Sequence, residues 1–145
     1  MSASEFPRLF LQNRQRRVSL DLPALKAFSC RGLTAILELT AKPGDVLTRL
    51  DEISIALISD KAMSHFHVEF MGIEGPTDVL TFEHGEILIS TETAARYALE
   101  YGHTTQQEIA LYILHGLLHL RGYDDKTPTA HQEMHSIQNA LFAKL

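Results

Sequence analysis

His115-Gly116-Leu117-Leu118-His119-Leu120-Arg121-Gly122-Tyr123-Asp124-Asp125 is the stretch that decides how the rest of the chain is read. Residues four apart on an α-helix differ by about 40° in direction and lie one turn apart, so both imidazoles can face one ion. Gly122 marks the helix stop, because a glycine just past the last periodic residue accepts the left-handed conformation of a cap. The turn then lets Asp124 or Asp125 fold back toward His115 and His119. Two imidazoles, one carboxylate and an open fourth position make up the donor set of a catalytic zinc site, and the set also suits iron(II). The helical metallopeptidase pattern His-Glu-x-x-His places its general base directly after the first ligand, where this chain has Gly116. A peptidase would therefore lack its base. The competing reading has both imidazoles structural and bonded to backbone carbonyls. The coincidence of helical spacing, glycine break and aspartates favours the metal.

Thr104 or Thr105 caps the helix bearing the histidines. Glu108 lies seven residues before His115, only about 20° away in projection, which makes it a candidate acid–base or ligand-orienting group. An ordinary first-turn glutamate favoured by the helix dipole is the alternative. Upstream, Thr77 to Phe82 and Glu86 to Ser90 read as a hairpin turning at Glu83-His84-Gly85, with Pro76 placing the first strand at a sheet edge. Glu52 to Ser59 is almost continuously apolar and reads as a central strand. Asp60 is the expected cap of a helix over about Lys61 to Phe70. Leu9 to Gln12 reads as a first strand. Asp21 and Pro23 begin a helix that Lys42-Pro43-Gly44-Asp45 ends. Thr127-Pro128 starts a last helix carrying His131 and His135, a second pair at four-residue spacing with no partner ligand following it.

The 145 residues fit one domain, 1–145, with room for a core. The apolar run from Ile109 to Leu120 is too short to span a bilayer, and the first residues lack a basic-then-apolar signal pattern, so a soluble cytoplasmic protein is expected. The single cysteine, Cys30, cannot form an internal disulfide and reads as a small core residue. The net charge of −5 argues against generic charge-driven binding to nucleic acid. Its distribution is uneven: residues 1–49 carry net +4 and residues 50–145 net −9. Arg14, Arg16 and Arg17 stand out in the basic part as candidate phosphate contacts, against the plainer reading of a solvated turn.

The segments GPTDVLTF (75–82), GEILIS (85–90) and HGLLHLRGYDD (115–125) resemble the bacterial YbeY family of metal-dependent endoribonucleases of ribosomal RNA maturation. The resemblance runs in order from about Asp51 to the C-terminus, and it is most specific at the helix segment. It implies an α+β fold, with a small mixed four-stranded sheet, packed helices, and a zinc-binding helix flanking a groove beside an edge strand. It also implies one zinc per chain held by His115, His119 and Asp125, where the family has a third histidine. Three further positions depart from the family pattern. Met71 stands where an arginine regarded as catalytic is usual, with His67 in place of an asparagine, and Glu86 replaces the common aspartate. The catalytic candidates are therefore Glu108 and Glu86 as proton acceptors and His67 as a compensating group.

The function implied is zinc-dependent cleavage of ribosomal RNA during small-subunit 3′-end maturation and ribosome quality control. Its partners would be the ribosome, its RNA and associated proteins, with no membrane. Two alternatives stand beside it: a metallopeptidase-like hydrolase taking a peptide along the edge strand, and a ribosome-associated binding factor whose metal is structural.

Overall fold

The computed structural model describes residues 6–145. Its elements run β1 (Arg8–Asn13), α1 (Leu22–Leu37), a short 3-10 turn (Leu47–Arg49), β2 (Glu52–Ile58), α2 (Asp60–Met71), β3 (Val79–Thr81), β4 (Glu86–Ser90), α3 (Thr91–Tyr101), α4 (Thr105–Leu120) and α5 (Pro128–Lys144). The fold is α+β, and the four strands lie in the order β1-β2-β4-β3. β1 and β4 both run parallel to β2, while β3 pairs antiparallel with β4 through Val79↔Ile89 and Thr81↔Ile87. The sheet is thus mixed, with β3 as the expected edge strand beneath Pro76.

The near-continuous apolar character of β2 has a direct cause in the two layers it touches. Ile53, Ile55 and Leu57 point into the larger core with Ile87 and Ile89, against α1, α4 and α5. Ala56 and Ile58 point the other way, with Leu88 and Met63, into a smaller core under α2. Helix α4 is the hub of the larger core. Its Ile109, Ile113, Leu114, Leu117 and Leu118 are fully buried, each contributing about 1.5–3 kcal/mol on removal from water. Whatever α4 carries is held on a rigid element.

The contact between α4 and the sheet is unusually close at one point. A Cβ on Gly116 would lie 2.9 Å from Ile87 Cδ1 and 3.2 Å from Thr81 Oγ1. The position that bears the base in helical metallopeptidases is therefore pressed against side chains of β3 and β4, and no larger residue fits there unless Ile87 shifts.

Three local expectations are corrected. Helix α1 stops at Leu37, because the following segment is drawn onto the end of α4: Lys42 N–H donates to Arg121 O at 3.2 Å and Val46 N–H to Leu120 O at 2.9 Å. Helix α2 is capped by Ser59, whose Oγ accepts from Ala62 N–H at 3.1 Å. Asp60 is occupied elsewhere, accepting from Ser90, from Thr93 Oγ1 at 2.7 Å and from Arg96 at 2.6 Å. Cys30 is exposed on α1, since Leu25, Ser29, Gly32, Leu33 and Ile36 form the stripe that faces inward. Among the described residues no helix is long and apolar enough to cross a membrane.

Candidate metal centre

The last turn of α4 ends as its glycine requires. Gly122 adopts φ +102°, Gly122 N–H donates to His119 O at 3.0 Å, and Tyr123 N–H donates to Leu118 O at 3.1 Å. This is the Schellman arrangement, which satisfies carbonyls that a helix end would otherwise leave free. The same turn aims Tyr123 O back along the helix, where it accepts from His119 Nδ1 at 3.0 Å. On the other side, Gln138 of α5 places Oε1 2.9 Å from His115 Nδ1.

These two contacts fix the chemistry of the pair. A backbone carbonyl only accepts, so Nδ1 of His119 carries the proton, and the Gln138 oxygen sets the same tautomer in His115. Both Nε2 atoms are then left with lone pairs, and the two stand 2.9 Å apart. Two lone pairs converging at that distance repel unless a cation or proton lies with them. Asp125 supplies the negative charge beside them, its Oδ2 4.0 Å from His115 Nε2. One ligand atom from each of His115, His119 and Asp125 falls within 4.8 Å of the others, a set that could hold a metal ion. Asp124 stands outside that set, its Oδ1 accepting from Lys126 N–H at 3.0 Å. Burial pushes His115 below its ordinary pKa, and the adjacent His119 adds to this. The Gln138 hydrogen bond and the charges of Asp78 and Asp125 oppose the shift without reversing it. Neutral imidazole is the form that binds a metal.

The pair opens onto a groove of about 620 Å³ between α4, the edge strand β3 and the loop after Gly122. Asp78, Glu83, Asp124 and Asp125 line it, with Lys126 and, from the end of α2, Met71. Met71 is 58 % exposed.

The other site residues read from the sequence lie elsewhere. Glu108 is buried two turns up α4 and bonded to Nε2 of His103, so its carboxylate is engaged away from the groove. Burial, reinforced by that carboxylate, keeps the Tyr112 hydroxyl protonated far above its ordinary range. Glu86 shares the parity of Leu88 and so belongs to the α2 face of the sheet, where it lies 3.7 Å from His84. His67 on α2 places Nδ1 2.9 Å from Gly75 O. Arg14, Arg16 and Arg17 are exposed just beyond β1, three strand spacings or about 14 Å across the sheet from β3. Arg14 donates to Gln12 and Arg17 lies 3.8 Å from Glu92. Gln138 is a residue of the site that the sequence reading does not single out. Its signal was a polar side chain on the stripe of α5 that also buries Met134 and Leu141.

Fold and site together define an α+β protein with a histidine–histidine–aspartate constellation on the end of its central helix, opening beside an edge strand. The family model described as Endoribonuclease YbeY matches residues 10–145, and the chain belongs to that family. It is 38% identical over 114 residues to the endoribonuclease YbeY of Frankia alni, a match covering 65% of this chain and 63% of that protein. It is 40% identical over 111 residues to the endoribonuclease YbeY of Thermobifida fusca, covering 65% and 72%. The matched segment thus spans somewhat less than two thirds of the Frankia protein's length. Among solved structures, the solution structure of TM1509 from Thermotoga maritima shares the fold, with a TM-score of 0.59 and 24% identity over 92% of this chain and 86% of that one.

Proposed function

We propose that this chain, as one domain, is a zinc-dependent endoribonuclease acting in the maturation of ribosomal RNA in the cytoplasm. The observation that carries this reading is the convergence of two Nε2 lone pairs at 2.9 Å beside Asp125, in a chain of the YbeY family. His115, His119 and Asp125 would hold the ion, and mixed nitrogen and oxygen donors suit zinc. When bound, zinc supplies a Lewis acid for a phosphoryl oxygen and activates water at neutral pH.

The protein's own residues do the remaining work. Gln138 and Tyr123 hold each imidazole in one tautomer, and the fully packed α4 keeps their spacing. Asp78 and Glu83 are the groove carboxylates outside the ligand loop, and they take over the proton-accepting role first read onto Glu108 and Glu86. A groove so rich in carboxylates repels a phosphate backbone by itself, so the two positive charges of a divalent ion are needed to admit RNA. Arg14, Arg16 and Arg17 would contact phosphates at a distance from the cut, orienting the substrate without reading its sequence.

Met71 favours one second reading. It lies in the groove with no cationic side chain in its place, as a ribosome-associated binding factor with little turnover would have it. One experiment separates the two. Chelated and zinc-loaded protein are incubated with precursor ribosomal RNA, with casein as the peptidase control. Cleavage of RNA alone, and only when metal-loaded, is expected. Ribosome binding with intact RNA under every metal would establish the binding factor.

A further inference from the structure

Helix α5 carries a second pair of histidines that the metal centre does not use. His131 and His135 are both exposed, and their rings lie face to face with centroids 6.0 Å apart and planes inclined by 10°. At about 100° per residue they fall on the flank of α5 next to the buried Met134, Gln138 and Leu141 stripe. That flank faces the loop after Gly122. With Asp125 and Thr127 they line a shallow cavity of about 550 Å³. Asp125 lines both this cavity and the groove of the metal centre.

Among the described residues neither ring makes a hydrogen bond or ion pair, and both side chains are exposed beside the cavity. Two imidazoles one helical turn apart form a chelating pair for first-row metals, and their exposure leaves both side chains free to turn onto one ion. A carboxylate has two oxygens. Oδ2 of Asp125 is the one nearer His115, at 4.0 Å, which leaves Oδ1 for a second neighbour.

We propose that His131 and His135 form a second transition-metal site, completed by water and by Oδ1 of Asp125, and coupled to the first site through that shared carboxylate. The second site is the weaker. His115 and His119 are each held by a hydrogen bond at Nδ1, and rings without such support bind about 10–100-fold less tightly. The coupling is negative, because two dications sharing one carboxylate repel each other. By linkage each ion lowers the affinity of the other. RNA cleavage plays no part in how the site binds.

The test is calorimetric titration of the untagged, chelator-treated full chain with zinc chloride near neutral pH. Two binding events are expected, the second about 10–100-fold weaker. The double variant His131→Gln/His135→Gln should lose the second event and keep the first. His115→Ala should lose the first and keep the second, and Asp125→Asn should weaken both. A single event in the native chain, or a second event that survives in the double variant, overturns the site. A companion measurement needs no variant: substoichiometric copper(II) added to the zinc-saturated first site should broaden the ring proton resonances of His131 and His135 before those of other exposed histidines. Equal broadening of His65 and His84 would mean adventitious surface binding.

Discussion

Gln138 Oε1 lies 2.9 Å from Nδ1 of His115, twenty-three residues away in sequence, and so decides which nitrogen of that imidazole is free. Removing this acceptor by Gln138→Leu should weaken metal binding about 10–100-fold while leaving all three ligands in place. Gln138→Glu keeps an acceptor at the same reach and should bind close to the native level. A competition assay with a chromophoric chelator reads both. Native affinity in Gln138→Leu would mean that the tautomer is set by something other than Gln138.

Gly116 is the point where α4 meets the sheet, and Gly116→Ala should cost about 1–3 kcal/mol of stability from overpacking against Ile87. Chemical denaturation of the metal-free protein measures this directly. The double variant Gly116→Ala/Ile87→Val, which shortens the side chain in contact, should recover part of the loss. No recovery would place the clash elsewhere.

Asp60 gives a pH dependence with a definite sign. Burial alone would raise its carboxyl, but hydrogen bonds from Ser90, Thr93 and Arg96 and the charge of Arg96 outweigh that and hold it below its ordinary value. A depressed folded-state value means the stabilisation is complete above the unfolded value, about pH 4, and fades as pH falls through the folded one. Asp60→Ala should therefore lower stability by about 2 kcal/mol near neutrality, with a gap to the native protein that narrows below about pH 4. A gap independent of pH would assign the loss to packing and not to charge.

Met71 faces the groove at its open side, where a long cationic side chain has room. Met71→Arg should raise single-turnover cleavage of RNA by the zinc-loaded protein, since a planar guanidinium suits phosphoryl oxygens. A rate equal to the native one in a well-folded variant would show that the groove does not lack a cation there.

The sequence announced the two-histidine helix and its stop because its signals are local: a four-residue spacing, a glycine, and aspartates just beyond. The central position of β2 and the edge position of β3 were legible for a similar reason, through the apolar run of β2 and Pro76. What escaped depends on contacts between distant segments. Gln138 looked like any polar residue on a helix until α5 was seen to lie against His115. The cap at Ser59 and the early end of α1 were misread because tertiary partners, Arg96 for Asp60 and the end of α4 for the 38–46 segment, outcompeted local preference. Glu108 is in projection where the helical wheel put it, yet the neighbouring His103 turns its carboxylate from the groove. Projection along one helix says nothing about what packs beside it.

Arg121 is buried, and its Nη2 donates to Leu37 O at 2.9 Å and Leu39 O at 2.7 Å, while Tyr123 Oη donates to Thr40 O at 3.0 Å. The loop that presents Asp125 is therefore tied to a segment more than eighty residues earlier in the chain. Contacts of such long range close late in folding, because the entropy of the intervening loop must be overcome first. Both histidines can lie on a formed α4 well before Asp125 is in position. Tight metal capture would then be a property of the finished fold, not of any intermediate. An ion held by His115, His119 and Asp125 would add its binding free energy to the native state alone and slow unfolding of the chain.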